Sequence, residues 1–357
     1  MRWTRLAFCL LLLANTSLSP RSAMAQQIEP NDLPVFEFHS GFWMNLHHTL
    51  YREAKQHAAV RPGPGKNAKS PQPVLKTIPQ ADGQLTQAEQ RAWNEAVNYY
   101  AANFADKDLL FSTEMIQLKN QLGDFEGCNE LSGIKQKTCD AGLPAKLTQV
   151  LEAAAPVYRA HQWPDHDRTN RRWIFRVAPL VIEQGVGLSQ RLADIYRAPW
   201  PKAKIRVDVT AYANNVGAYT TLDPLRVTIS STDFRNQNSA ALEALFHEAS
   251  HGIAAPVQDA IIRECRQREK AIPRDLWHAL IFYTTGEVIK PIMISEETVQ
   301  SGSGDSASGN YTPYALREGL YKRGWDTYLQ LLTRFWQPYL DGHASFDDAI
   351  ARMVSSL

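Results

Sequence analysis

Apolar residues recur at three- and four-residue spacings over residues 86–105, 109–122, 145–161 and 172–196, the pattern of amphipathic helices. An earlier stretch, 41–57, has Phe42, Leu46 and Leu50 at the same spacing and carries His47, His48 and His57 on its other faces. Near Pro199 the period changes to two. Ile205, Val207 and Val209 alternate with Lys204, Arg206, Asp208 and Thr210, and Leu225, Val227 and Ile229 alternate with Arg226, Thr228 and Ser230, which predicts half-buried strands. Ala218 to Thr221 is a third strand between them, with Asn214-Asn215 and Asp223-Pro224 as turns. Helical periodicity then returns at 257–270, at 274–290 and in a C-terminal pair whose apolar face is Leu316, Leu320, Trp325, Leu329, Leu332 and Trp336. Ser345-x-x-Asp348 resembles a capping box that starts the last helix.

Residues 61–82, rich in Pro, Gly and Lys, and 301–310, rich in Ser and Gly, interrupt the periodic segments and read as loops. The expected fold class is α+β, predominantly helical. A helical N-terminal part over 26–198 precedes a mixed part over 199–357 that contains a small antiparallel or mixed sheet.

Composition narrows the classes. With 357 residues, 44% of them hydrophobic, and a formal charge of +1, the chain builds a sizeable core, and no basic excess favours nucleic acid. Residues 1–25 read as a secretory signal: Arg2 and Arg5, an apolar run from Leu6 to Ala14, and Ala23-Met24-Ala25 as the cleavage site. The expected mature chain begins near Gln26, slightly acidic, and is secreted or periplasmic. No later stretch is long and apolar enough to span a membrane. In an oxidising compartment Cys128 and Cys139 are the natural disulfide pair, which leaves Cys265 as a buried thiol. His47 and His48 point about 100° apart on a helix, so they read as hydrogen-bonded or solvated rather than as joint metal ligands. Trp163-Pro164-Asp165-His166-Asp167 reads as a capped loop.

The chemistry concentrates in His247-Glu248-Ala249-Ser250-His251, an H-E-x-x-H motif preceded by the apolar run from Ala240 to Phe246. Residues four apart share a helical face, so His247 and His251 can reach one ion, with Glu248 beside the open position. A zinc ion there makes a nucleophile of water near neutral pH, and a carboxylate takes the water's proton. Leu242, Leu245, Phe246 and Ala249 make the helix apolar, and polar groups on a buried helix need partners.

This motif and its setting resemble the zincin metallopeptidases over roughly residues 205–290. The resemblance implies a sheet packed on the motif helix, an edge strand that aligns extended substrate, one zinc ion per chain held by His247 and His251, and Glu248 as general base. No H-x-x-G-x-x-H continuation follows His251, so a downstream carboxylate of the gluzincin kind is expected. Glu264, Glu269, Glu287 and His278 are the candidates. Glu269 sits in a charged run, whereas Glu287 is embedded in apolar company where a carboxylate must be paired or metal-bound, so Glu287 is the preferred third ligand. His278 and Glu287, nine residues apart, point to opposite faces of one helix and cannot both serve. Such enzymes stabilise the oxyanion with a Tyr or His donor, and Tyr314, near Tyr311 and Arg317, is the candidate. The expected activity is hydrolysis of peptide bonds, the alternatives being hydrolysis of a small non-peptide amide or a non-catalytic scaffold. The partner is a peptide or small amide, without nucleic acid.

Overall fold

Strand β1, Phe36–His39, runs parallel to β2, Ile205–Thr210, in a register that sets Phe36 opposite Ile205. β2 is parallel in turn to β4, Leu225–Ser230, and β4 pairs antiparallel with β3, Ala218–Leu222, which is the outer strand in the order β1-β2-β4-β3. The computed structural model describes residues 35–60, 85–301 and 311–357. The expected signal at 1–25, the Pro/Gly-rich loop at 61–82 and all but the first residue of the Ser/Gly-rich loop at 301–310 lie outside the described residues.

Helices dominate around this mixed sheet, as the α+β reading expects. They are α1 (Phe42–Val60), α2 (Gln87–Asn103), α3 (Thr113–Asp124), α4 (Ala145–His161), α5 (Trp163–Tyr196), α6 (Ala240–Ser250), α7 (Ala255–Gln267), α8 (Leu276–Ser301) and, near the C-terminus, the short α9 (Tyr314–Arg317), α10 (Asp326–Leu331) and α11 (Gln337–Leu340), then α12 (Phe346–Ser355). Two expectations change. Residues 163–167 are the first turn of α5 rather than a loop, with Pro164 at the helix start where a missing N–H costs nothing. The expected C-terminal helix pair is instead broken between 314 and 340 into short pieces, one break falling at Gly324, whose φ is 115°.

The alternation in the strands sorts their side chains onto two covered faces. Phe36, Phe38, Ile205, Val207, Val209, Val227 and Ile229 join one apolar core with α5 to α8 and the C-terminal helices. α1 to α4 form a second core that reaches the sheet through Tyr219. The polar face, which half-buried strands would leave in water, is buried too: Asp208, Thr210, Thr228 and Ser230 are all under 5% exposed. Its groups are bonded rather than solvated. Asn45 on α1 donates to Val209 O and accepts from the Ala211 amide, and Arg206 pairs with both Asp208 and Glu126. β1, from the helical N-terminal part, is thus one strand of the sheet that carries the motif helix.

His47 and His48 are fully buried on α1 and hydrogen-bonded, to the Tyr100 hydroxyl at 3.0 Å and to Met44 O and the Tyr219 hydroxyl at 2.8 and 2.7 Å. Cys128 and Cys139 form a disulfide, and Cys265 is a free, buried cysteine. Among the described residues no helix is long and apolar enough to cross a membrane.

Candidate metal centre

α6 is fixed by its apolar side. Leu242, Leu245, Phe246 and Ala249 have no exposed surface, and Phe246 meets Phe36 edge-on at 5.2 Å and Trp200 at 5.6 Å. Each large side chain buried in this way contributes about 1.5–3 kcal/mol. The opposite face, with Glu243, His247 and His251 at successive turns, therefore has one orientation open to it, toward β3 and α8. Gly252 lets the helix end close on β4, because a Cβ there would lie 2.6 Å from Leu225 Cδ2.

α8 brings the third histidine. His278, in its first turn, places its ring 5.4 Å from that of His247 and 5.0 Å from that of His251, and one nitrogen from each of the three rings lies within 4.8 Å of the others. These three imidazoles can hold a metal ion. Burial holds all three below the ordinary histidine value, His247 well below it, His251 down to about 3 and His278 down to about 4, each aggravated or relieved by its neighbours' charge. They stay neutral, which is the form that coordinates. His247 Nδ1 is buried with no hydrogen-bond partner, a cost of about 1–3 kcal/mol unless something else satisfies it.

Glu287, the expected third ligand, does not join this cluster. Nine residues beyond His278 it emerges on the other side of α8, partly exposed, with its carboxylate 3.6 Å from Lys290 Nζ. The argument from burial cost fails because the surrounding apolar side chains leave a path to solvent and a cation supplies the partner. Glu264 is paired with Arg268 at 3.1 Å and Glu269 is exposed, and neither belongs to the cluster.

Aromatic rings enclose the cluster. Phe282, one turn after His278, lies nearly parallel to the His247 ring at 3.7 Å, while Trp277 and Trp325 lie 5.3 and 5.8 Å from the His278 ring. Nothing in the H-E-x-x-H pattern announces this collar, although the spacing of His278 and Phe282 puts both on one helical face. Beside it is a recess of about 380 Å³, part of it open to solvent, lined by Val216, Ala218, Glu243, Ala244, His247, Glu248, Phe282 and Tyr314 together with Asn236. Tyr314 and Glu248 thus share one cavity with His247. The Thr220 hydroxyl on β3 is within donating distance of both Glu248 O, at 2.7 Å, and Glu248 Oε2, at 2.6 Å. Burial pushes the Glu248 carboxyl up to about 7, and the Thr220 bond opposes that shift.

No family model, curated protein or solved structure matches the chain.

Proposed function

We propose that the protein is a zinc-dependent peptidase with one zinc ion per chain, held by His247, His251 and His278. The observation that carries this reading is the convergence of three neutral imidazoles beside a recess that also contains the Glu248 carboxylate. Three neutral imidazoles, each offering a nitrogen within 4.8 Å of the others, suit zinc. Zinc, when bound, supplies Lewis acidity and a nucleophile from water at neutral pH.

The chain's own residues supply the rest. Glu248 Oε1 and Oε2 accept the proton of the attacking water and return it to the leaving amine. Burial raises this carboxyl above the ordinary range and so makes its carboxylate a stronger base for the first step. Thr220 fixes the rotamer of that carboxylate through its 2.6 Å bond. Tyr314, on the recess wall, offers its hydroxyl to the developing oxyanion. Phe282, Trp277 and Trp325 limit water around the imidazoles. β3 is an edge strand, and Ala218 lines the recess, so an extended peptide can pair along that edge; this favours a peptide over a small amide. A signal peptide and secretion or periplasmic export belong to the same proposal, and the Cys128–Cys139 disulfide is compatible with them.

The test is Glu248→Gln, which keeps volume and hydrogen-bonding reach but removes the proton acceptor. Elemental analysis should find about one zinc in wild type and variant, while hydrolysis of a broad peptide library falls by about two orders of magnitude or more. If both proteins bind zinc and both are equally inactive, the small-amide or scaffold reading replaces the peptidase.

A further inference from the structure

Glu243 lies one turn ahead of His247 on the same face of α6, is 2% exposed, and takes no part in the hydrolysis outlined above. A carboxylate so placed is costly unless it is bonded. Its two oxygens accept the Tyr314 amide N–H at 2.9 and 3.0 Å and the hydroxyl of Tyr311. Both donors come from the stretch that leads into α9. Pro313, at the head of α9, has no side-chain group to cap it, so the first amide of that turn is satisfied from another helix.

The same stretch is pressed against α8. Gly286 allows it, since a Cβ there would lie 2.6 Å from Pro313 Cβ and 3.2 Å from Glu243 Oε1. With its backbone held at this point, the Tyr314 ring lies parallel to Phe282 at 5.7 Å, and Phe282 in turn covers His247. Arg235, bonded to Asp233 at 2.8 Å, lies beside the Tyr314 phenol. A chain of contacts therefore runs from the motif helix through Glu243 to the wall of the recess.

We infer that Glu243 is a positioning residue: its carboxylate fastens the Tyr311–Tyr314 stretch to the helix that carries His247, and so sets where the Tyr314 hydroxyl stands relative to Glu248. The inference rests on the peptidase reading for the role of Tyr314, but the fastening itself is measurable without any substrate.

The experiment compares Glu243→Gln and Glu243→Leu in the zinc-loaded full chain. Gln keeps an oxygen that can accept from the Tyr314 amide; Leu has none. Amide exchange resolved to Tyr314 should accelerate about 10- to 100-fold in the Leu variant, the range set by a hydrogen bond to a charged group, and stay within about threefold of wild type in the Gln variant. Against a single peptide that the wild type cleaves, chosen from a broad library, kcat of the Leu variant should fall by about the same factor, with KM and zinc affinity within about threefold, and the Gln variant should recover it. Tyr314→Phe added to Glu243→Leu should cost nothing further, because both act through one group.

Unchanged Tyr314 exchange in Glu243→Leu overturns the fastening. Faster exchange with unchanged kcat overturns the positioning role. A wild type that hydrolyses no peptide defeats the peptidase reading instead and leaves the fastening to be judged by exchange. If Glu243→Leu does not fold, Tyr311→Phe removes one of the two donors and should raise Tyr314 exchange by a smaller factor; no rise refutes the inference.

Discussion

Removing His278 or Glu287 is the sharpest test of the proposed metal centre, because two residues of one helix make opposite claims. In His278→Ala the cluster loses one of three imidazoles. Structural zinc sites with four ligands bind with about 10–16 kcal/mol, or about 2.5–4 kcal/mol per ligand, so zinc affinity should fall by about 100- to 1000-fold. In Glu287→Ala nothing in the cluster is lost. The carboxylate's partner is Lys290 at 3.6 Å, and a partly exposed pair of this kind contributes under about 1 kcal/mol, so zinc affinity should stay within about twofold. His278 also packs on Trp277 and Phe282, at 5.3 and 4.9 Å between rings, so its removal destabilises the fold for reasons unrelated to metal. The assay separates the two effects: competition with a zinc chelator gives the affinity, and melting of the metal-free proteins gives the packing cost. The added melting temperature from saturating zinc, large in wild type and in Glu287→Ala, should nearly vanish in His278→Ala. Zinc affinity retained within threefold in His278→Ala, or lost in Glu287→Ala as severely as in His251→Ala, would refute the three-histidine assignment.

Three further outcomes are expected. A Cys128→Ser, Cys139→Ser double variant loses about 3 kcal/mol of stability, read from denaturant unfolding, and in the wild type Cys265, but neither Cys128 nor Cys139, is alkylated after unfolding without reductant; unchanged stability would remove the disulfide from the scaffold. His47, His48 and His166 are buried and held below the ordinary value, so the unfolded chain takes up protons that the folded chain refuses. Stability should therefore fall as pH drops from about 6.5, at up to about 1.4 kcal/mol per pH unit for each group, and His48→Gln should flatten the slope. Gly286→Val drives a side chain into Pro313 and should lower peptide hydrolysis at least about tenfold while zinc binding persists; full activity would detach the recess wall from function.

Local signals carried most of the elements. The strands at 205–210 and 225–230 appear where alternation put them, and α4 spans the stretch that its apolar spacing marked. What the sequence did not yield is what depends on distant partners. β1 is four residues long and finds its partner about 170 positions away, so nothing local distinguishes it from an extended lead-in. Asp208 and Thr228 look like solvent-facing residues but are buried, with α1 bonded to β2 through Asn45 and α3 packed beside Arg206 and Arg226. At the centre, the H-E-x-x-H spacing marked α6 unambiguously. The choice between His278 and Glu287 turned on which side of α8 meets α6. Tyr283 and Glu287 share one side and His278 and Phe282 another, and periodicity alone does not say which of the two is inward.

The placement of β1 also bears on the order in which the molecule is assembled. As a chain leaves the ribosome from its N-terminus, Phe36–His39 has no strand to pair with until residues 205–210 have followed it, and β2 finds its other neighbour, β4, only after residue 230. While the roughly 170 residues between β1 and β2 are made, an apolar strand with unpaired backbone groups has no partner. Most contacts of α1 to α4 are near in the chain, although Ala213 and Tyr219 complete their core, whereas the sheet that seats α6 joins segments far apart in sequence. The three imidazoles proposed as metal ligands converge only once α8, which begins at residue 276, has followed α6 out of the ribosome.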